Sequence, residues 1–271
     1  MRSKTSEAKG EEQGRGAAIP RRNRISDQSS LVGVRGTESL AAGCKAFFQL
    51  ETGFKPDQND TTFAARNSAV GLQCRWGSAL LGRWDTPFKA ATLAVDPFGD
   101  LTLGGITAAL NGSGVPAGNG TELQGTFDRR DQNVIQYWSP AMRGISIRLS
   151  HSVNEARNEF VNPRRSGASA IYAGGPIYLG YAYDEVRDGN FGGATTLRRQ
   201  TGNAVFARLD LDAVRFGVVY EEFSRDGYSK QKAAMANVVW TLGSHQLIYQ
   251  YQAARDGAEA SAPSSRPIRR S

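Results

Sequence analysis

Ile145-Ser146-Ile147-Arg148-Leu149-Ser150 alternates apolar and polar residues more cleanly than any other stretch of the 271-residue chain. Successive side chains of a β-strand point to opposite faces, so this hexapeptide reads as a strand with one apolar and one polar face. Going backwards, Ser139-Pro140 begins a short turn. Arg129–Trp138 before it places Ile135 and Tyr137 opposite Arg130, Gln132, Val134 and Gln136. Earlier still lies Trp84–Asp128, a long segment holding Asp85-Thr86-Pro87-Phe88-Lys89, Asp96-Pro97-Phe98-Gly99-Asp100 and the glycine-rich runs Asn111–Gly114 and Gly118–Gly120. Structureless connections of this length are uncommon in compact domains and are usually functional. The period-2 pattern on both sides attaches this one to a sheet.

The same rhythm extends outward. Before the long segment, Leu31–Gly36, Gly43–Glu51, Arg66–Trp76 and Ala79–Trp84 read as strands; after Ser150 come Gly167–Ala173, Ile177–Val186, Gly202–Leu211, Val214–Phe223, a strand ending at Trp240, and His245–Ala253. The twelve strands are joined by connections that alternate strictly in length. Short ones lie at Thr37–Ala42, Gly77-Ser78, Ser139–Arg143, Gly174–Pro176, Asp212-Ala213 and Gly243-Ser244, and long ones fall between them. An up-and-down antiparallel meander with tight turns at one end and long loops at the other is the plan of a transmembrane β-barrel. Trp76, Trp138 and Trp240 each lie at or near a tight turn, as an interfacial aromatic girdle requires. The long segment then reads as a loop folded into the barrel mouth, where it narrows a pore.

Composition excludes several other classes. No run of about 18 apolar residues is present to make a membrane helix. The formal charge of +7 sits at the two ends. Arg2, Lys4, Lys9, Arg15, Arg21, Arg22 and Arg24 outnumber Glu7, Glu11 and Glu12 by four, and Arg266, Arg269 and Arg270 supply the rest. A neutral body argues against a nucleic-acid partner. His151 and His245 have no metal-ligand spacing, Gly112–Gly120 has no Gly-Lys-Ser/Thr ending, and no Gly-x-Ser-x-Gly elbow occurs. The expectation is a non-enzyme without cofactor or metal. The first 25 residues lack an apolar secretory core, which by itself predicts a cytoplasmic chain and conflicts with the barrel.

Three stretches carry a family resemblance: SLVGVRGTESLAAGCKAFFQLETGF from Ser30, VGLQCRWGSALLGRWDTPFK from Val70 and VIQYWSPAMRGISIRLSHSVNE from Val134. Together they resemble the Gram-negative general-diffusion porins, over about Ile25–Ala253. The resemblance implies an all-β, antiparallel up-and-down transmembrane barrel of sixteen strands, of which about twelve are present, with a long third loop folded inward over Trp84–Asp128. It also implies location in the cell outer membrane, contact with outer-membrane lipid and lipopolysaccharide, a homotrimer, and passive diffusion of small hydrophilic solutes. The chain departs from the pattern at both ends, so residues 1–25 are expected to be a disordered non-homologous segment, 26–253 a partial barrel and 254–271 a disordered tail. Leu31 stands where the family often has an arginine.

Selectivity in such a pore comes from charged side chains at the narrowing. The loop candidates are Asp96, Asp100 and Glu122. On the wall, Arg130 has inward parity and matches a family position; Lys45, Arg148, Arg208 and Arg215 share the polar face. Arg66 and Arg83 match family arginines, but simple alternation puts both on the apolar side unless a bulge or strand end re-aims them. The excess of basic wall residues points to anion preference. Cys44 and Cys74 fall opposite each other on the apolar face if the hairpin between them is centred near Asn59, as a cross-strand disulfide or as two small lipid-facing residues. Two alternatives stay open: a soluble all-β ligand-binding domain with the long loop as its site, and a porin fragment that closes no barrel.

Overall fold

The computed structural model describes residues 2–8, 19–26, 30–55, 60–99, 105, 106, 110, 127, 129–153, 162–188, 199–225 and 230–255. In chain order these form β1 (Arg2–Ala8), β2 (Ile19–Ser26), β3 (Leu31–Ser39), β4 (Lys45–Lys55), the two-residue β5 (Asp60–Thr61), β6 (Ser68–Cys74), β7 (Gly77–Asp85) and helix α1 (Pro87–Leu93). There follow β8 (Arg130–Trp138), β9 (Ile145–Val153), β10 (Arg164–Gly174), β11 (Ile177–Arg187), β12 (Gln200–Leu211), β13 (Val214–Arg225), β14 (Gln231–Leu242) and β15 (His245–Arg255). From β3 to β15 each strand pairs antiparallel with the next, β5 alone standing off the path beside β4. The twelve strands read from the alternation are the twelve of this path. Most run further toward the long connections than the side-chain pattern reaches, because backbone pairing continues after the apolar face has ended. β3 and β15 are the edges and do not pair with each other.

Near the start of the chain, β1 and β2 pair antiparallel with each other, Arg2 opposite Ser26. Ladder hydrogen bonds come from the backbone, so this pairing needs no apolar alternation to announce it.

The sheet is apolar on its outer face. Val70, Leu81, Leu149, Val205 and Val218 are all between 47% and 59% exposed, while their inward neighbours Leu80, Ala182, Ala204 and Val219 are at most 2% exposed. A chain that turned its large apolar side chains outward around its whole sheet in water would forfeit the main driving force of folding; in lipid the same arrangement is the stable one.

Two irregularities reverse the simple alternation near the long segment. The β7–β8 register shifts between Gly82 and Trp84, and Asn133 in β8 has φ 47°. Past Asn133 the buried positions are Val134 and Gln136, whereas before it Asp131 is buried and Gln132 exposed. The turn-end aromatics are sorted accordingly. Trp76 and Trp240 point outward, 51% and 48% exposed. Trp138 instead packs inside against Trp84, with ring centroids 5.5 Å apart, and Tyr137 takes the outer place, stacking on Trp76.

Cys44 and Cys74 are joined by a disulfide, with Cα atoms 4.3 Å apart. The ladder Lys45↔Gln73 to Gln49↔Ala69 is the register centred near Asn59, and the spacing is that of a non-hydrogen-bonded antiparallel pair, where side chains approach most closely. The bridge ties the β3–β4 hairpin to the β6–β7 hairpin at the tight-turn end.

Candidate functional site

The long segment enters the sheet through a helix that sequence alone hides inside a loop. Thr86 caps α1 by accepting from Lys89 N at 3.2 Å, and Pro87 occupies the first turn, where its missing N–H costs nothing. Phe88, Ala91, Val95, Ile106, Leu110 and Phe127 of the segment then pack against inward residues of β10 to β14, among them Ile171, Ala182, Phe206, Val219, Phe223 and Met235. Phe127 stacks on Phe223 with centroids 4.8 Å apart. Each large side chain buried here contributes roughly 1.5–3 kcal/mol.

Polar contacts pin the segment's backbone to the same wall. The Tyr178 hydroxyl donates to Ala91 O at 3.3 Å, Asn237 Nδ2 to Val95 O at 3.1 Å and Gln252 Nε2 to Gly105 O at 2.9 Å, and the Arg208 guanidinium donates to Ala94 O. Gly217 supplies clearance, since a Cβ there would meet Val95 Cγ1 at 2.8 Å. Beneath the segment, Arg165 is buried between two carboxylates, its Nε 2.7 Å from Asp184 and a terminal nitrogen 3.3 Å from Asp131. Its guanidinium also lies 5.7 Å from the Phe127 ring centroid. The Thr86 hydroxyl at the start of α1 lies close to Asp184. One buried cation therefore underlies both ends of the segment.

On the opposite side, where the segment leaves β7, charged groups collect. Asp85 accepts from Asn67 Nδ2 at 2.8 Å, pairs with Arg130 Nε at 3.3 Å and lies 3.6 Å from the buried Lys89 ammonium. Asn67 Oδ1 also accepts from Arg130 Nε, at 3.0 Å. Arg66 runs across Gly53 on the inner face of β4, its Cδ 3.4 Å from where a Cβ would stand. Arg83 is the residue inside the Gly82–Trp84 register shift and lies within electrostatic range of the inward Asp131. Both arginines thus lie near inward groups, Arg83 opposite the two-residue bulge of β8 and Arg66 just ahead of β6. Arg66 and Arg83 have buried Nε atoms without a hydrogen-bond acceptor, and neither has an ion pair among the described residues.

The other expected site residues are placed differently. Asp96 is only 9% exposed and serves the segment's own fold: Oδ1 accepts from Phe98 N at 2.9 Å and Oδ2 from Ile106 N at 2.6 Å. Asp100 and Glu122 lie outside the described residues. Lys45 has inward parity but sits exposed beside the tight turn, at the wrong end of β4 to meet the segment's root. Arg148 faces inward over the Trp138 ring at 5.1 Å. Arg208 is taken up by Ala94 and Asp210, and Arg215 by Asp210. Alternation gives the face of a residue but not its height along the strand, and these placements turn on height. Asn67, Asp85, Lys89 and Arg165 escaped the pattern because three of them stand at strand ends or in a loop, and the fourth looks like any alternating arginine.

The likenesses to known proteins agree with this geometry. A family model described as Gram-negative porin matches residues 5–266, a span that includes parts of both ends set apart above. An outer membrane porin protein of Bordetella pertussis is 29% identical over 174 residues, 58% of this chain and 42% of that protein. The chain thus spans well under two thirds of that relative's length. Among solved structures, the anion-selective porin from Comamonas acidovorans superposes with a TM-score of 0.70 at 23% identity, covering 83% of this chain and 68% of that one. OmpF of Salmonella typhi, in complex with daunomycin, does so with a TM-score of 0.68 at 15% identity, covering 93% and 76%. With the outward apolar sheet and the segment packed on its inner face, the match over residues 5–266 places this chain in the Gram-negative porin family of the outer membrane.

Proposed function

We propose that the chain forms part of a barrel wall through which small hydrophilic solutes diffuse passively, and that the segment from Asp85 onward narrows the path to a constriction that favours anions. The observation that carries this is the pair Arg66 and Arg83, whose buried Nε atoms have no hydrogen-bond acceptor and which make no ion pair among the described residues, lying near Arg130 and Lys89 with Glu51, Asp85 and Asp131 as the neighbouring described carboxylates. A narrow, low-dielectric passage lined by one sign of charge concentrates the opposite ion. The anion-selective Comamonas porin has the same fold, which fits the reading. Assembly as a homotrimer belongs to the same proposal. No bond is made or broken in such a pore, and charge and width alone sort the solutes.

The test is the zero-current potential across a bilayer holding the reconstituted protein in a potassium chloride gradient. A potential of the sign set by chloride supports the reading, and Arg66→Gln with Arg83→Gln should move it toward zero. A potassium-selective potential in the parent chain would overturn it.

A further inference from the structure

Between α1 and the tight turns, the inner wall alternates aromatic rings with guanidinium groups. Trp138, Arg148, Tyr178 and Arg208 each stand within three residues of the tight-turn end of β8, β9, β11 or β12. Trp138 and Arg148 are direct partners across the β8–β9 ladder, and Tyr178 and Arg208 across the β11–β12 ladder. In each pair the guanidinium carbon lies 5.1 Å from the centroid of its partner's ring. Tyr178 is within electrostatic range of both arginines, so the two pairs adjoin.

The two pairs differ in what else they hold. Arg208 donates to Ala94 O and pairs with Asp210, while Tyr178 donates to Ala91 O and stacks on Phe206. That pair is spent on the segment and the wall. Arg148 lies over Trp138 and makes no ion pair and no side-chain hydrogen bond among the described residues, and both side chains keep part of their surface exposed on the inner face. The ring beneath Arg148 is held still. Trp138 Nε1 donates to Gln136 Oε1 at 3.0 Å, and Gln136, only 2% exposed, donates from Nε2 to Asp85 O at 2.9 Å. Trp84 closes one side of the ring at an interplanar angle of 59°. A buried amide with both ends committed fixes the indole, and the indole positions the guanidinium over it.

We propose that Arg148, Trp138 and Trp84 form a subsite for planar aromatic carboxylates moving along the inner face. The guanidinium fork takes the carboxylate through two parallel N–H···O bonds. The solute's ring then meets the two indoles in offset or tilted contact, the arrangements that aromatic pairs prefer. An aliphatic carboxylate of the same charge gains the fork alone, and a neutral aromatic gains the rings alone. Where the charges at the root of the segment sort solutes by sign, this subsite sorts anions by shape. The inference rests on the reading of the inner face as a solute path, and it names the class of anion that path favours.

The full chain, folded in an uncharged detergent, is titrated with para-fluorobenzoate, and binding is read from the width of its fluorine NMR line against protein-free micelles. Benzoate and cyclohexanecarboxylate, equal in charge and close in size, then compete for the site. Benzoate should displace the probe at a concentration about fivefold lower, the worth of one aromatic pair. Arg148→Lys keeps the charge without the fork, and Trp138→Leu removes the ring; each should abolish the preference. Trp138→Phe, the milder change, should reduce it. Arg215→Gln removes a charge from the same wall and should leave the preference intact. Equal displacement by the two carboxylates in the parent overturns the proposal, as does a preference that survives Arg148→Lys or Trp138→Leu in a chain with the parental urea midpoint. Loss of the preference in Arg215→Gln would assign it to general positive charge and overturn the subsite as well. A benzoate preference in a chain that passes no current would sink the solute path and leave the subsite standing; uniform current steps from a chain without the preference would do the reverse.

Discussion

Replacing both cysteines, Cys44→Ser with Cys74→Ser, removes a bridge whose partners are 30 residues apart in sequence. Closing a loop of that length removes about 12 cal/mol/K from the unfolded chain on the entropy model, or about 3.6 kcal/mol at 25 °C. That is a several-hundred-fold change in the folding equilibrium. The native side should lose little else, because the register Lys45↔Gln73 through Gln49↔Ala69 is fixed independently by ladder hydrogen bonds. The assay is urea unfolding of the detergent-folded chain, followed by tryptophan fluorescence, for the parent, the reduced parent and the double variant. The reduced parent and the variant should unfold at the same, lower urea concentration. Thiol titration of the unfolded parent should find no free thiol before reduction and two after. Two thiols before reduction would remove the bridge from the account, and an unchanged midpoint would show that it constrains nothing the ladder does not already fix.

Other perturbations test the anchoring of the inner segment. Arg165→Met leaves Asp131 and Asp184 buried without their counter-ion, which should cost about 3–5 kcal/mol and expose residues near Phe127 to protease; an unchanged urea midpoint would contradict the clasp. Gly217→Val pushes a side chain into Val95 and Asn237, at a cost of about 1–3 kcal/mol, and should add noise to the open-channel current; a quiet channel with parental stability would refute the close approach. Tyr178→Phe removes one hydrogen bond to Ala91 and should cost only about 1 kcal/mol, seen as a small shift of the same midpoint. Exchanging Arg66 and Arg83 for glutamate should reverse the sign of the zero-current potential, and persistent anion preference would place the selecting charges elsewhere.

Much of the fold was legible because a membrane strand repeats one simple signal, apolar outward and mixed inward, with turn residues between. Ile145–Ser150 carries it outright, and the Asn59-centred register follows from loop symmetry between two such strands. The segment's resting place was harder to see. Its wall positions, Ala182, Ala204, Phe206 and Val219, are apolar on what alternation marks as the pore side; the hint is that β12 and β13 are apolar on both faces, which only a covered inner wall requires. Asp96 illustrates a second limit, since a loop carboxylate is equally suited to bind a solute or to cap backbone amides, and only the folded segment shows the amides of Phe98 and Ile106 within its reach. Arg83 illustrates a third. Two residues of β8, Gln132 and Asn133, stand opposite Arg83 alone, so the parity of β8 reverses there, and a glycine in the neighbouring strand signals a bulge without saying which strand carries the extra residue.

The most direct test of the account is the current through single molecules of this chain, folded in detergent and added to a planar bilayer in symmetric salt. A wall narrowed by an anchored inner segment predicts discrete, uniform, roughly ohmic steps that stay open at low voltage. A well-folded, detergent-inserted protein that leaves the bilayer silent would contradict it.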